Sequence, residues 1–299
     1  MNFKKLKIIK FTSIGIGVLL VVYLGLSVYG AREGLEIPRL PLAYKPASLE
    51  LPYEDASFKS RGDGVLLKGW YLPGVKNSVI LIVHGGFQNR VDDNVDTLGL
   101  TRALVKTGYS VLLFDLRGRG ESEGKGLALS NIEPDIGGAM DYLKSRGYSD
   151  GDICILGFCS GAVSACIFAS QNSLGALILD GCFIDIPTEV ARQAESIGIP
   201  QFLESFFMPG GLFMARIMYG YHLVNPIDVI HKVTCPILFI HEENDEFIRY
   251  EEVLKLFRAS DNPANEVWEV SGTLHSQPFQ THPTEYIEKV DKFLSAKVS

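Results

Sequence analysis

The segment Gly157-Phe158-Cys159-Ser160-Gly161 sets a thiol between two glycines, after an apolar, strand-like run (Ile153 to Leu156) and before a run of small residues that suits a helix. On a sharp strand-to-helix turn of this kind the central side chain stands clear of the backbone, and flanking glycines let the chain fold tightly around it. A thiol ordinarily titrates near about 8.5, so a neighbouring histidine converts it to the nucleophilic thiolate far more readily than it deprotonates a serine. The chemistry this suggests is covalent acyl transfer, which needs a base and a third group to orient that base. Ser160 is the rival nucleophile, but moving the frame by one places Phe158 where a glycine is needed and turns the hydroxyl away from the site.

Such groups need a scaffold to bring them together. Two alternating runs between Tyr53 and Leu72 flank Arg61-Gly62-Asp63-Gly64 and predict an antiparallel hairpin at a sheet edge. Beyond it, β-branched runs at Ser78 to Val83, Ser110 to Phe114, Ile153 to Leu156, Ala176 to Leu179, Ile237 to Ile240 and Val267 to Val270 are strands. Helical patterns near Val95 to Thr107 and Glu133 to Arg146 separate some of them. This alternation predicts an α/β fold with a mostly parallel central sheet flanked by helices, whose ligands bind beyond the carboxyl ends of the strands. The rhythm breaks at about residues 182–230, where Phe183, Phe202, Phe206, Phe207, Met208, Phe213, Met214 and Met218 fall in a predicted helical lid. Three of the five methionines lie there, and flexible thioethers suit an adaptable apolar wall for an acyl chain.

From about Leu51 onward, the chain resembles the α/β-hydrolase superfamily in five motifs that occur in family order. His84-Gly85-Gly86 resembles the oxyanion loop, Asp115-Leu116-Arg117-Gly118-Arg119-Gly120-Glu121-Ser122 the D-x-R-G-x-G-x-S turn, and Gly157 to Gly161 the nucleophile elbow. His241-Glu242-Glu243-Asn244-Asp245 resembles the H-G-x-x-D acid loop, with Glu242 in place of glycine, and Gly272-Thr273-Leu274-His275 the last histidine loop. The resemblance implies an α/β-hydrolase fold with Cys159 as nucleophile, His275 as base and Asp245 as the orienting acid. It also implies an oxyanion hole from the amide of Ser160 and that of Gly86 or Phe87. Asp180, at the end of an earlier strand, is an alternative orienting acid. Glu242 and Glu243 are expected to be solvated or to stabilise their loop, and Asp115 with Arg117 to brace a turn. His84 is expected to hold the oxyanion loop by hydrogen bonding; His222, His231 and His282 read as surface or capping residues, and His241 occupies no recognised catalytic position.

The first thirty residues differ from the rest. Lys4, Lys5, Lys7 and Lys10 precede an uncharged stretch, residues 11–30, which is long enough to cross a bilayer as a helix. The apolar region is longer than that of a cleaved signal peptide, so residues 1–10 read as a cytoplasmic basic segment, 11–30 as a membrane anchor, 31–50 as a linker and 51–299 as the hydrolase domain. The lysines place the catalytic domain on the extracytoplasmic side. A net charge of −7 without a basic stripe argues against a nucleic-acid partner. The five cysteines leave at least one thiol free, and the absence of a C-x-x-C pair supports neither a redox motif nor structural zinc. Cys154, Cys166 and Cys235 read as small buried hydrophobes.

The expected activity is hydrolysis of an ester or thioester, on a small-molecule or lipid acyl substrate, through an acyl-enzyme, with no cofactor and no metal. Dienelactone hydrolases resemble this arrangement in using a cysteine nucleophile. Two other functions fit the same residues: an acyltransferase similar to polyhydroxyalkanoate synthases, which share the G-x-C-x-G elbow, or a non-catalytic, membrane-tethered binding protein.

Overall fold

Val79-Ile80-Leu81-Ile82-Val83 has no polar face to turn toward water, and every one of these residues is buried in the computed structural model, which describes residues 3–44, 51–128 and 132–297. In chain order the strands are β1 (Glu54–Lys59), β2 (Leu66–Leu72), β3 (Val79–Val83), β4 (Ser110–Phe114), β5 (Ile153–Phe158), β6 (Ala176–Asp180), β7 (Ile237–Glu242) and β8 (Glu266–Val270). The helices are α1 (Phe3–Leu35), α2 (Thr97–Lys106), α3 (Glu133–Ser145), α4 (Ser160–Ala169), α5 (Ile186–Ser196), α6 (Gln201–Tyr219), α7 (Pro226–Val229), α8 (Tyr250–Ala259), α9 (Pro278–Thr281) and α10 (Pro283–Ser295). The strands form one sheet in the order β1-β2-β4-β3-β5-β6-β7-β8; β1 and β2 pair antiparallel, β2 meets β4 antiparallel, and the other pairings are parallel.

Side chains alternate across a strand, so each parallel strand feeds two cores. Val79, Leu81 and Val83 join Ile136 and Met140 of α3, Val163 and Cys166 of α4, and Leu256 of α8 on one face. Ile80 and Ile82 join Leu100 and Leu104 of α2 and Val290 and Phe293 of α10 on the other. Helix α4 is buried at all ten of its residues, which explains a sequence apolar all round its axis.

The chain divides into two compact units, Met1–Glu36 with Val190–Leu223, and Ile37–Glu189 with Val224–Ser299. The second holds the sheet. It also claims Cys182, Phe183 and Ile186, which lie in the sheet's core and not in a lid, so the inserted segment is shorter than its composition suggested. In the first unit the helix runs without a break through the basic segment, the apolar stretch and the start of the expected linker, ending at Leu35. Residues 45–50 of that linker lie outside the described residues. Within this unit α6 packs against α1: Phe207 stacks on Tyr23 with ring centroids 5.4 Å apart, and the Tyr23 hydroxyl donates to the Phe206 carbonyl.

Candidate active site

Cys159 sits at φ 52°, ψ −121°, a backbone conformation few side-chain-bearing residues adopt, between the end of β5 and the first residue of α4. The two glycines around it are required by close approach. A Cβ on Gly157 would lie 2.7 Å from Ala162 Cα, and one on Gly161 would run into the carbonyls of Val83 and His84. The strained turn is fastened by the Cys159 amide, which donates to the Asp180 carbonyl at 2.9 Å. Cys159 is the one half-buried cysteine; the other four are buried. Burial pushes the Cys166 and Cys235 thiols up to about 12, and those of Cys154 and Cys182 well above their ordinary value, which makes all four inert as nucleophiles.

The predicted base and acid meet at the same strand ends. His275 Nδ1 lies 2.7 Å from Asp245 Oδ2. Asp245 is held from its own loop, its Oδ1 accepting from the amides of Phe247 and Ile248 at 2.7 and 2.9 Å. Burial works against a charge on His275, but the Asp245 hydrogen bond and negative charge on the Cys159 sulfur beside the ring outweigh it and push the imidazole up to about 12. Burial likewise opposes the Asp245 charge, and His275 nevertheless holds that carboxyl below its usual range. Asp245 and His275 are therefore a hydrogen-bonded pair, with Cys159 beside the ring.

The His84-Gly85-Gly86 loop abuts the elbow. A Cβ on Gly85 would be 3.7 Å from Cys159 Cβ, and one on Gly86 2.7 Å from Ser160 Oγ. Among the described residues nothing accepts a hydrogen bond from the amides of Gly86, Phe87 or Ser160, so these donors are open to a developing oxyanion. His84 fixes the loop. Its Nε2 accepts from the Leu116 amide at 3.1 Å, which leaves the proton on Nδ1, 2.7 Å from the Gly85 carbonyl. Full burial, with Arg119 and Arg90 nearby, pushes this imidazole down to about 3, so it is neutral.

Several neighbours escaped the sequence reading. Arg119, fully buried, donates twice to the Gly86 carbonyl, at 3.0 and 2.7 Å, and once to that of Leu127 at 3.1 Å, holding the oxyanion loop from behind. It lies within the quoted turn motif, but its spacing alone does not reveal its target. Gly181, at φ 63°, lets the chain pass the base: a Cβ there would stand 2.8 Å from His275 Cε1. Glu242 is not solvated. It is the buried last residue of β7, and its Oε1 accepts from the Ser276 amide at 2.8 Å. Burial raises the carboxyls of Glu242 and its neighbour Asp180, the latter to about 6. Asp180 does not orient the base, since its Oδ2 accepts from the Tyr286 hydroxyl at 2.8 Å. Glu243 braces the loop by accepting from the Gly272 amide.

Asp115 and Arg117 brace turns, but not each other. Asp115 pairs with the buried Arg90 at 2.9 Å, and Arg117 with Asp135 at 2.7 Å and Asp63 at 2.6 Å. The remaining histidines lie elsewhere: His241 stacks on Tyr250, His282 bonds the Ser271 carbonyl at the start of α10, and His222 and His231 are exposed. His241, Glu242 and Asp245 bring donor atoms within 4.8 Å of one another, the one such cluster among the described residues. Both of its carboxyl groups are already engaged, with the Ser276 amide and with His275.

The family described as the alpha/beta hydrolase family matches residues 80–289, more than two thirds of the chain. The chain belongs to the alpha/beta hydrolase family. Among curated relatives, this hydrolase is similar to the uncharacterized protein YqkD of Bacillus subtilis, 27% identical over 239 residues that cover 77% of this chain and 76% of that protein. It is also similar to lysophosphatidylserine lipase ABHD12 of Macaca fascicularis, 27% identical over 200 residues covering 63% of this chain and 47% of that protein, so it matches less than half of the lipase's length. Among solved structures, the Pyrococcus furiosus esterase Pf2001 superposes with a TM-score of 0.75 at 24% identity, covering 89% of this chain and 98% of that one, a likeness of fold.

Proposed function

We propose that this hydrolase cleaves an acyl ester or thioester, with Cys159 as nucleophile, His275 as general base and acid, and Asp245 as the group that orients His275. The observation that carries the reading is the Asp245–His275 hydrogen bond, with the His275 ring beside Cys159 at a strained elbow. The fold it shares with an esterase, and its similarity to a lysophospholipid lipase, support an acyl substrate.

In this mechanism the Cys159 proton passes to His275 and the sulfur attacks the carbonyl carbon, forming a C–S bond and a tetrahedral oxyanion. The Ser160 amide and that of Gly86 or Phe87 receive the oxyanion. His275 gives its proton to the departing alkoxide or thiolate, leaving an acyl-enzyme. A water then yields a proton to His275 and attacks the thioester, and collapse returns the proton to sulfur and frees the acid. The 33-residue helix α1 anchors the chain in a membrane: within Ile9–Leu35, an 18-residue apolar stretch has a mean hydropathy of 2.2 and is 6% buried. The lysines at its start hold that end in the cytoplasm and place the catalytic unit outside it.

The test pairs Cys159→Ala with Cys159→Ser on a panel of short and long acyl esters and thioesters. The reading requires Cys159→Ala to lose turnover and an electrophilic probe to map to Cys159 by mass spectrometry. Full turnover in Cys159→Ala, or a probe adduct on Ser160, refutes it.

A further inference from the structure

The apolar side chains of α6 divide between two faces. Phe202, Phe206, Pro209, Phe213 and Ile217 recur at intervals of three and four, which aligns them along one stripe of the helix. The four large members of this stripe, Phe202, Phe206, Phe213 and Ile217, are 71%, 60%, 58% and 61% exposed. Ile197, in the turn before the helix, is exposed as well. Glu204, the single charged residue in the first fifteen positions of α6, lies about 200° around the axis from Phe202, on the opposite side from the stripe. Large contiguous apolar patches of this kind mark contact with a partner or a membrane.

What covers this stripe follows from the helix beside it. The flank of α6 next to the stripe meets α1 at close range. Gly210 lies against Ser27 and Tyr23, where any Cβ would collide with the Ser27 hydroxyl, and Ser27 and Ala31 are buried on the α1 side. Small residues at such contacts are how helices approach each other within a bilayer. The register is parallel and constant: Tyr23 meets Phe206 and Tyr219 bonds Glu36, both 183 positions apart. Gln201–Phe213 therefore runs beside residues 18–30 of α1, the part of the apolar span nearer Arg32 and Glu33. Arg216, beyond that stretch, falls level with Glu33, where the α1 sequence becomes charged.

We infer that α6 is a second membrane element, which sets its phenylalanine stripe among the acyl chains of the leaflet beside α1. The inference rests on the reading of α1 as a bilayer anchor. In the full-length chain with Cys159→Ala, the remaining native cysteines are buried. Phe202→Cys, Phe206→Cys and Phe213→Cys would be made one at a time in this background and labelled with an environment-sensitive fluorophore. The labelled chains would be reconstituted in phosphatidylcholine vesicles with or without lipids carrying a nitroxide on the acyl chain. Leu19→Cys on α1 and Lys255→Cys on α8 serve as the lipid and water references. The expected result is that nitroxide lipids quench the three α6 positions to within about twofold of Leu19→Cys and leave Lys255→Cys unchanged. Quenching at Leu19→Cys with none at the α6 positions overturns the inference and keeps the anchor. No quenching at Leu19→Cys overturns the anchor and the inference with it. Gly210→Leu provides a second arm: it should drive the helices apart and reduce quenching on α6 while leaving that at Leu19→Cys intact, and unaltered quenching on α6 refutes the pairing.

Discussion

His84 ties the stability of the oxyanion loop to pH in a direction that can be worked out in advance. Its Nε2 accepts from the Leu116 amide, so adding a proton sets an N–H against an N–H within a fully buried site. The unfolded chain binds that proton near its ordinary value of 6.5, whereas the folded chain resists it to about 3. A depressed value of this kind contributes stability that is present above pH 6.5 and lost as pH falls toward 3, because the unfolded state takes up the proton first. Between pH 7 and pH 5 the loss attributable to His84 is about 2 kcal/mol, from about 1.4 kcal/mol per unit of pKa difference. The raised carboxyls of Asp180 and Glu242 act in the opposite sense, so the whole-protein curve is a sum and the informative quantity is the difference between wild type and His84→Gln. Urea unfolding of the full chain in non-ionic detergent can follow the two tryptophans, Trp70 and Trp268, both in the sheet. The wild type should lose about 2 kcal/mol relative to His84→Gln on going from pH 7 to pH 5. A difference that stays flat, or grows in favour of the wild type as pH falls, refutes the neutral, acceptor-bound imidazole.

Three other outcomes follow from the site. Asp245→Asn removes the carboxylate charge beside His275, and on the proposed mechanism kcat for acyl hydrolysis should fall by about 10^3 to 10^4 with KM little changed. Gly181→Ala places a methyl group 2.8 Å from His275 Cε1 at a φ of 63°; it should cost about 1–2 kcal/mol of stability from backbone strain and lower kcat, and activity at the wild-type level would show that the ring is not confined there. Glu242→Gln copies the shape of the protonated carboxyl. Because the Glu242 value is raised, the wild type loses stability as pH climbs above the ordinary glutamate range, so the variant should gain on the wild type from pH 5 to 8 in urea unfolding, and a progressive loss instead would mean that Glu242 is ionised.

Much of the scaffold was legible because its rules are local. Continuous β-branched runs such as Val79–Val83 can only be strands buried on both faces, and the spacing of Gly157 and Gly161 announces a turn too tight for any side chain. Asp245 and His275 could be chosen because each follows a strand in the order that the resemblance implies. What escaped depends on contacts between distant segments. β7 continues two residues beyond its apolar run and so buries Glu242, which its charge had suggested was in a solvated loop. Arg119 sits among glycines and polar residues, and its partner, the Gly86 carbonyl, is 33 positions away. The phenylalanines of α6 looked like lid packing because nothing in a linear sequence reveals that Tyr23 is the neighbour of Phe207.

Asp180 ties the elbow to a helix far along the chain. Its carbonyl holds the Cys159 amide in the elbow, and its carboxylate is held in turn by Tyr286 of α10. His275 and the Ser276 amide also arrive late in the chain. Tyr286 stands 106 positions from Asp180, so this brace forms only once α10 has packed on the sheet. The strained elbow is therefore completed by long-range packing, not by its own local sequence, and a chain that has lost the docking of α10 would keep Cys159 and lose the brace behind it.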